Sequence, residues 1–123
     1  MKLCITSMGR HIDDKIDERF GRASYFLIID TETMEIEPVQ NDAQSAEQGA
    51  GIKAAQIVRD KGVDAVLTGF LGPKASSALA SSKIKIYENA SSKDTVKDAI
   101  EKFKNRGYTE TIHDPSVQRR TGR

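Results

Sequence analysis

The chain has 123 residues, of which 37% are hydrophobic and 30% charged, a composition typical of a soluble domain with a single core. Its 19 lysines and arginines nearly balance its 18 aspartates and glutamates, which argues against general binding to nucleic acid or to a membrane surface. The first apolar run is too short for a signal peptide, and no stretch approaches the roughly 20 apolar residues of a membrane span. A single cysteine allows no internal disulfide, so we expect a cytoplasmic protein.

The first third of the chain predicts three strands. Residues 3–6 are a short apolar run that predicts a strand, and the polar residues 8–19 predict a loop. Residues 24–29 are β-branched and aromatic and give the strongest strand signal. Residues 34–39 alternate between apolar and polar, so they form the second arm of a hairpin. Pro38 lacks a backbone N–H and places this arm at a sheet edge.

A strand and a helix are predicted in the middle of the chain. Residues 41–48 are polar and predict a loop. Gly49 and Gly51 flank the start of an amphipathic helix that ends at Gly62, after a cationic last turn. Residues 63–68 then read as a second buried strand.

The last third predicts two helices around another strand. Pro73 suits the first position of a short helix over residues 73–81, and residues 84–87 form the next strand. Ser91 and Asp94 have the spacing of a capping box at the start of the final helix.

Apolar residues recur at i, i+3, i+4 and i+7 from Val96, and Gly107 ends this final helix. Residues 108–123 have no periodicity and are expected to be a disordered tail. The prediction is therefore one α/β domain over residues 1–107.

The predicted order β-β-β-α-β-α-β-α places the first, fourth and fifth strands parallel to one another. Ligands of such sheets bind outside the carboxyl ends of the parallel strands. Three loops are expected to converge there, formed by residues 8–19, 41–51 and 69–74. This edge is the best-supported functional surface in the sequence.

Arginines and glycines in these loops predict an anion site. Arg19 and Arg22 enclose Phe20 and Gly21, and a guanidinium group suits a carboxylate or a phosphate. The alternative is a solvated ion-pair network with the neighbouring acids, which are Asp13, Asp14, Asp17 and Glu18.

Two glycine-led helix starts add to this prediction. Gly49 and Gly51 expose backbone N–H groups at one helix start, and Gly72 precedes Lys74 at the other. Both are equally compatible with turns of purely structural purpose, since neither has the spacing of a dinucleotide or P-loop motif.

Metal-binding residues are sparse. Cys4 lies within the first strand and is expected to be a buried hydrophobe, and His113 lies in the tail. His11 lies in a loop at the functional edge and is the candidate side chain for a metal or cluster. We expect no catalytic residues, because no nucleophile has a base and an orienting group beside it.

Several segments together resemble the dinitrogenase iron–molybdenum cofactor biosynthesis family, which includes NifX-type carriers and the C-terminal domain of NifB-type synthases. The resemblance spans roughly residues 1–103. Its most specific elements are Phe20-Gly21-Arg22-Ala23-x-x-Phe26, Gly49-Ala50-Gly51-Ile52-x-Ala54-Ala55, Gly62-Val63-Asp64-Ala65-Val66, Gly72-Pro73-Lys74-Ala75 and Ile84-Lys85-Ile86-Tyr87.

This resemblance implies a ribonuclease H-like α/β/α fold with a five-stranded mixed sheet in the order 3-2-1-4-5. It also implies a non-catalytic role, the transient carriage of an anionic iron–sulfur or iron–molybdenum cofactor precursor, with cofactor-assembly proteins as partners. Nitrogenase-linked relatives often carry a histidine before the Phe-Gly pair, where this chain has Arg19, and His11 is the displaced alternative.

Two other functions compete with carriage. An interaction module without a metal cofactor would use Phe70, Leu71 and the arginine-bearing tail as a partner surface. A metal-dependent nuclease would need carboxylates on the central strand, and residues 2–7 contain none. The sequence does not predict an oligomeric state.

Overall fold

Residues 1–112 are described by a computed structural model and form three helices and one mixed sheet. Of the tail predicted to be disordered, which begins at residue 108, residues 113–123 lie outside the described residues, and His113 with them. The strands are β1 (Lys2–Ser7), β2 (Tyr25–Asp30), β3 (Ile36–Gln40), β4 (Ala65–Leu67), β5 (Lys85–Tyr87) and β6 (Glu110–Thr111). The helices are α1 (Ala50–Asp60), α2 (Pro73–Ser81) and α3 (Val96–Lys104).

The sheet order is β3-β2-β1-β4-β5-β6, with β1, β4 and β5 parallel as predicted. The hairpin pairs β2 antiparallel to both β1 and β3, so β3 runs in the same direction as β1. Pro38 lies on the edge strand β3, where it pairs with Leu27 of β2. An edge position was predicted for it because proline has no backbone N–H to donate. The carboxyl ends of β1, β3 and β4 therefore share one edge of the sheet.

Two apolar cores lie on opposite faces of the sheet. On one face, Cys4 and Val66 pack beneath α1 and α2, which contribute Val58 and Leu79. On the other face, side chains such as Ile5 pack beneath α3. Because successive strand residues point to opposite faces, the continuous apolar runs of β1 and β2 supply both cores. The result is a three-layer α/β arrangement.

The sheet has six strands within residues 1–112, and the predicted number of five is wrong. Glu110 pairs antiparallel with Tyr87, and Thr111 pairs with Ile86. The sixth strand lies past the predicted domain end at residue 107. It escaped prediction because a two-residue strand carries no measurable periodicity.

The start of α3 also differs from the prediction. Thr95, and not Ser91, is the N-cap: its hydroxyl accepts the Asp98 N–H at 3.1 Å, while the Asp98 carboxylate accepts the Thr95 N–H at 3.1 Å. Ser91 instead accepts the Lys93 N–H in the preceding turn. The helix ends at Lys104, three residues before Gly107.

None of the helices within residues 1–112 is both long enough and apolar enough to cross a bilayer.

Candidate functional site

A cavity of about 600 Å³ opens where the predicted loops meet at the carboxyl edge of the sheet. We call it the main cavity. Its walls come from residues 19–22, which we call the arginine loop, from the start of α1 and from the segment that leads from β4 into α2. The lining residues are Arg19, Phe20, Gly21, Arg22, Gly49, Ala50, Gly51, Ile52, Phe70, Leu71, Gly72, Pro73, Lys74 and Ala75.

Two helix N-termini face the main cavity without caps. Gly49 precedes α1 with φ +71°, a left-handed conformation that favours glycine, and offers no side-chain cap. Gly72 precedes α2 and offers none either, and neither helix has an acid in its first turn. By contrast α3, on the other face of the sheet, has a full capping box with Asp98 in its first turn. The cavity therefore receives two positive helix ends whose first N–H groups have no intrahelical acceptor.

Arg19 is held by a buried carboxylate. Oδ1 of Asp17 accepts the Arg19 backbone N–H at 3.1 Å and the Nε–H at 3.3 Å, and Oδ2 accepts from Nη2 at 3.3 Å. The Asp17 side chain is 3% exposed and that of Arg19 is 57% exposed. Arg19 therefore forms the ion pair with a neighbouring acid that was predicted as the alternative to anion binding. Its guanidinium nevertheless lines the main cavity.

Arg22 has a different set of partners. Its Nη1 donates to the backbone oxygen of Gln44 at 2.8 Å and to that of Ala46 at 2.6 Å. These bonds attach loop 41–48 to the arginine loop, so much of the hydrogen-bonding capacity of Arg22 serves the fold. The predicted pairing with acidic neighbours is not seen for Arg22 among the described ion pairs.

Lys74 and Phe70 complete the rim. None of the four ion pairs among the described residues involves Lys74, which lies in the first turn of α2. Phe70 is 57% exposed. Its backbone is nevertheless fixed, because its N–H donates to Glu18 O at 2.9 Å and its carbonyl accepts the Phe20 N–H at 3.3 Å.

Eight of the nine predicted site residues line the main cavity, and His11 does not. His11 borders a separate cavity of about 410 Å³, beside Arg10, Ile12, Asp13, Ile36 and Pro38. Phe20 is 1% exposed and belongs to the core as well as to the cavity wall. Which of these residues contact a ligand stays a prediction.

Sequence reasoning missed Asn41, which holds the arginine loop. Asn41 is buried, and its side-chain amide donates to the backbone oxygens of Gly21 at 3.0 Å and Ala23 at 2.9 Å. This role has no local signal, because its partners lie in another part of the chain. Asp17, by contrast, is one of the four acids predicted as possible partners of the arginines, and it is the one that binds Arg19. Ile52 could have been found, since it follows the glycine pair at the predicted edge.

Cys4 is buried in the core, as predicted, and burial raises the pKa of its thiol well above its ordinary value. Among residues 1–112, no group of three or more His, Cys, Asp or Glu side chains is placed to hold a metal ion.

A family model now decides the relationship of the chain to known proteins. The model of the dinitrogenase iron–molybdenum cofactor family matches residues 1–106. The chain belongs to this family. The match includes the whole main cavity, so the predicted family resemblance is confirmed.

Solved structures agree with this family membership. The apo form of the orange protein from Desulfovibrio gigas is 36% identical, with a TM-score of 0.87 over 90% of this chain and 92% of that chain. A Thermotoga protein that has been proposed to be a NifB protein is 30% identical, with a TM-score of 0.78 over 92% of this chain and 97% of that one. A comparison of sequences alone adds one relative: an uncharacterised Methanocaldococcus jannaschii protein is 29% identical over 92 residues, which are 72% of this chain and 78% of that protein.

Proposed function

We propose that this protein binds an anionic iron–sulfur or iron–molybdenum cofactor precursor in the main cavity and carries it without transforming it. The observation that carries the proposal is the pair of uncapped helix N-termini, which converge with Arg19 and Lys74 on one cavity. Family membership supports this class of cargo. A cytoplasmic location and cofactor-assembly partners belong to the same proposal, because such cargo must be supplied and received within a reducing compartment.

The lining residues indicate how such cargo would be held. The fourteen described residues that line the main cavity include neither cysteine nor histidine. A side-chain bond to iron is therefore not part of this proposal. Backbone N–H groups at the two helix starts, the Arg19 guanidinium and the Lys74 ammonium would neutralise the charge of the cargo.

The walls of the cavity favour a large anion over a small one. Ile52, Phe70, Leu71 and Pro73 contribute apolar surface around the donors. A small hard anion such as phosphate could accept from the N–H groups at the helix starts, but it would lose strong hydration against the apolar walls and leave them unfilled. A sulfide-rich cluster has its charge spread over soft, weakly hydrated atoms, so the same walls cost it less.

The test uses a synthetic thiolate-ligated iron–sulfur cluster as probe, under anaerobic conditions. After gel filtration, iron and sulfide should elute with the protein at about one cluster per chain, and excess phosphate should not displace them. Lys74→Ala should weaken binding about three- to tenfold, as expected for the loss of one partly desolvated charge contact.

Two matched variants control this experiment. Lys97→Ala removes the same charge from α3, on the other face of the sheet, and His11→Ala removes the only predicted iron ligand. Both should bind the cluster as tightly as the unmodified protein. Failure of the unmodified protein to retain iron, or equal losses in the Lys74 and Lys97 variants, would refute binding in the main cavity.

A protein-interaction role is the second candidate, favoured by one observation. Phe70 exposes 57% of its surface on a backbone fixed by two hydrogen bonds, which is the form of a preorganised anchor. Leu71, its predicted companion, packs against the core instead. If the protein binds no cluster, Phe70→Ala should abolish association with candidate assembly proteins in solution; unchanged association would refute this role.

A further inference from the structure

The position of Asp17 is fixed by the ends of two central strands. The Thr6 hydroxyl donates to the Asp17 carbonyl at 2.6 Å, and the Asp17 N–H donates to the Thr6 carbonyl at 3.1 Å. Thr6 Oγ1 and Thr68 Oγ1 lie 2.8 Å apart. Because the single hydroxyl proton of Thr6 is used on Asp17, Thr68 must be the donor of that pair. Both strands thus contribute to an ordered connection that ends at Asp17.

Arg19 continues this connection towards the main cavity. Three of its N–H groups are bound to the Asp17 carboxylate, while no hydrogen bond of Nη1 to another described residue is present. The main chain beside it is also held, since Arg19 and Phe70 form a parallel β-bridge. The guanidinium therefore presents its outer edge at the cavity from a fixed base.

We propose that Asp17 is a positioning residue, which fixes the Arg19 guanidinium at the main cavity before an anionic ligand arrives. The inference rests on the proposed function. Its physical basis is that a long, flexible side chain loses conformational entropy when it is ordered by a ligand. Here folding orders it in advance, and the ligand meets donors already in place.

Asp17 also has an electrostatic effect on the affinity for an anion, and it is opposite in direction to the positioning effect. An experiment can therefore separate the two effects. The negative charge of Asp17 offsets that of Arg19, so by charge alone the neutral variant Asp17→Asn should bind an anion more tightly. Loss of orientation should weaken binding. The direction of the change therefore separates a positioning residue from a charge that merely opposes the ligand.

The experiment measures the affinity of the same iron–sulfur probe for Asp17→Asn. We expect binding about tenfold weaker, equivalent to the loss of one charge-assisted hydrogen bond. Asp13→Asn, which removes the same charge from an exposed loop residue, should leave binding unchanged or slightly tighter. Binding by Asp17→Asn that is unchanged or tighter would overturn the proposal.

A second variant guards against a folding defect in the first. Arg19→Lys keeps the charge on a half-exposed side chain but cannot form the paired contact with Asp17. Positioning predicts that it binds nearly as weakly as Arg19→Gln. If it binds as tightly as the unmodified protein, orientation is irrelevant and the proposal is wrong. In the Arg19→Gln background, Asp17→Asn should cause no further loss.

A measurement without ligand separates this proposal from the proposed function. In ¹⁵N NMR spectra the Arg19 Nε–H should exchange slowly with water in the unmodified protein and rapidly in Asp17→Asn. Equal exchange rates would overturn the positioning role whether or not the cluster binds. Slow exchange with no cluster binding would instead refute the proposed cargo.

Discussion

A Cβ atom on Gly21 would lie 2.9 Å from the backbone nitrogen of Gly51, closer than real side chains approach. The backbones of the arginine loop and of the first turn of α1 therefore approach each other closely beside the main cavity. This approach explains why glycine is needed at position 21. A Cβ on Gly51 would meet only the Cβ of Ala75, at 3.3 Å.

Gly21→Ala should force α1 away from the arginine loop. We expect a loss of about 1–3 kcal/mol in the free energy of unfolding, the usual cost of overpacking. Urea denaturation measures it. Gly72→Ala is the matched control, since a Cβ there meets nothing within 4 Å and its φ of −76° suits alanine. A comparable loss in both variants would contradict the close approach.

Thr95→Ala should destabilise the protein by about 0.5–2 kcal/mol, because it removes the N-cap of α3. Ser91→Ala, at the position that sequence spacing favoured, should cost clearly less, since Ser91 accepts one N–H in an exposed turn. Thermal unfolding of the two variants provides the comparison. The reverse order would show that the helix begins at Ser91.

The capping box should make stability depend on pH in the acid range. Hydrogen bonds from Thr95, with smaller contributions from Lys15 and Lys97, hold the pKa of Asp98 below its ordinary value of 3.8. The unfolded chain therefore binds a proton first, and the stabilisation is present above that value and is lost as pH falls towards the lowered pKa. Urea denaturation between pH 5 and pH 2 should show a weaker acid dependence in Asp98→Asn. An unchanged profile would contradict the assignment.

Tyr108→Phe should leave the protein as stable or stabilise it by up to about 1 kcal/mol, because the buried Tyr108 hydroxyl has no hydrogen-bond partner among the described residues. Burial, together with Asp94 and Asp98, raises the pKa of this tyrosine above its ordinary value. Spectrophotometric titration should therefore lose, in the variant, a component that titrates above the ordinary tyrosine pKa. Clear destabilisation would mean that the hydroxyl has a partner after all.

Phe70→Trp should report on cargo directly, since the chain contains no tryptophan. The new indole would lie at the rim of the main cavity, where a bound iron–sulfur cluster should quench its fluorescence strongly. Phe103→Trp is the comparison. Phe103 packs against the apolar core between the sheet and α3, on the other face of the sheet from α1 and α2, so an indole there should be quenched less. Equal quenching at both positions would place the cluster elsewhere.

Local patterns were sufficient wherever the decisive interaction was local or strongly periodic. The apolar runs predicted β1 and β2, Pro38 predicted an edge strand, and Pro73 predicted the start of α2, which the structure places at that residue. Eight of nine candidate site residues meet in one cavity because strand direction alone fixes which loops share an edge.

The N-cap of α3 shows where local patterns fail. Ser91 and Thr95 each stand three residues before an aspartate, so spacing cannot choose between them. The loop after β1 decides: Asp94 O accepts the Ile16 N–H, and the Val96 N–H donates to Asp14 O. These bonds pair Thr95 with Lys15 in an antiparallel bridge and hold Thr95 extended, with φ −82° and ψ 165°, so the helix begins only after it.

By itself, the sequence determined the α/β class, the edge at which the main cavity opens and the family, because these depend on periodicity and on motifs within a few residues. Only the tertiary structure decided that Asn41 holds Gly21, that Arg22 binds loop 41–48, that His11 borders another cavity and that β6 pairs with β5. Each of these is a hydrogen bond or a packing direction set by where distant backbone segments come to lie. No run of neighbouring residues contains that information.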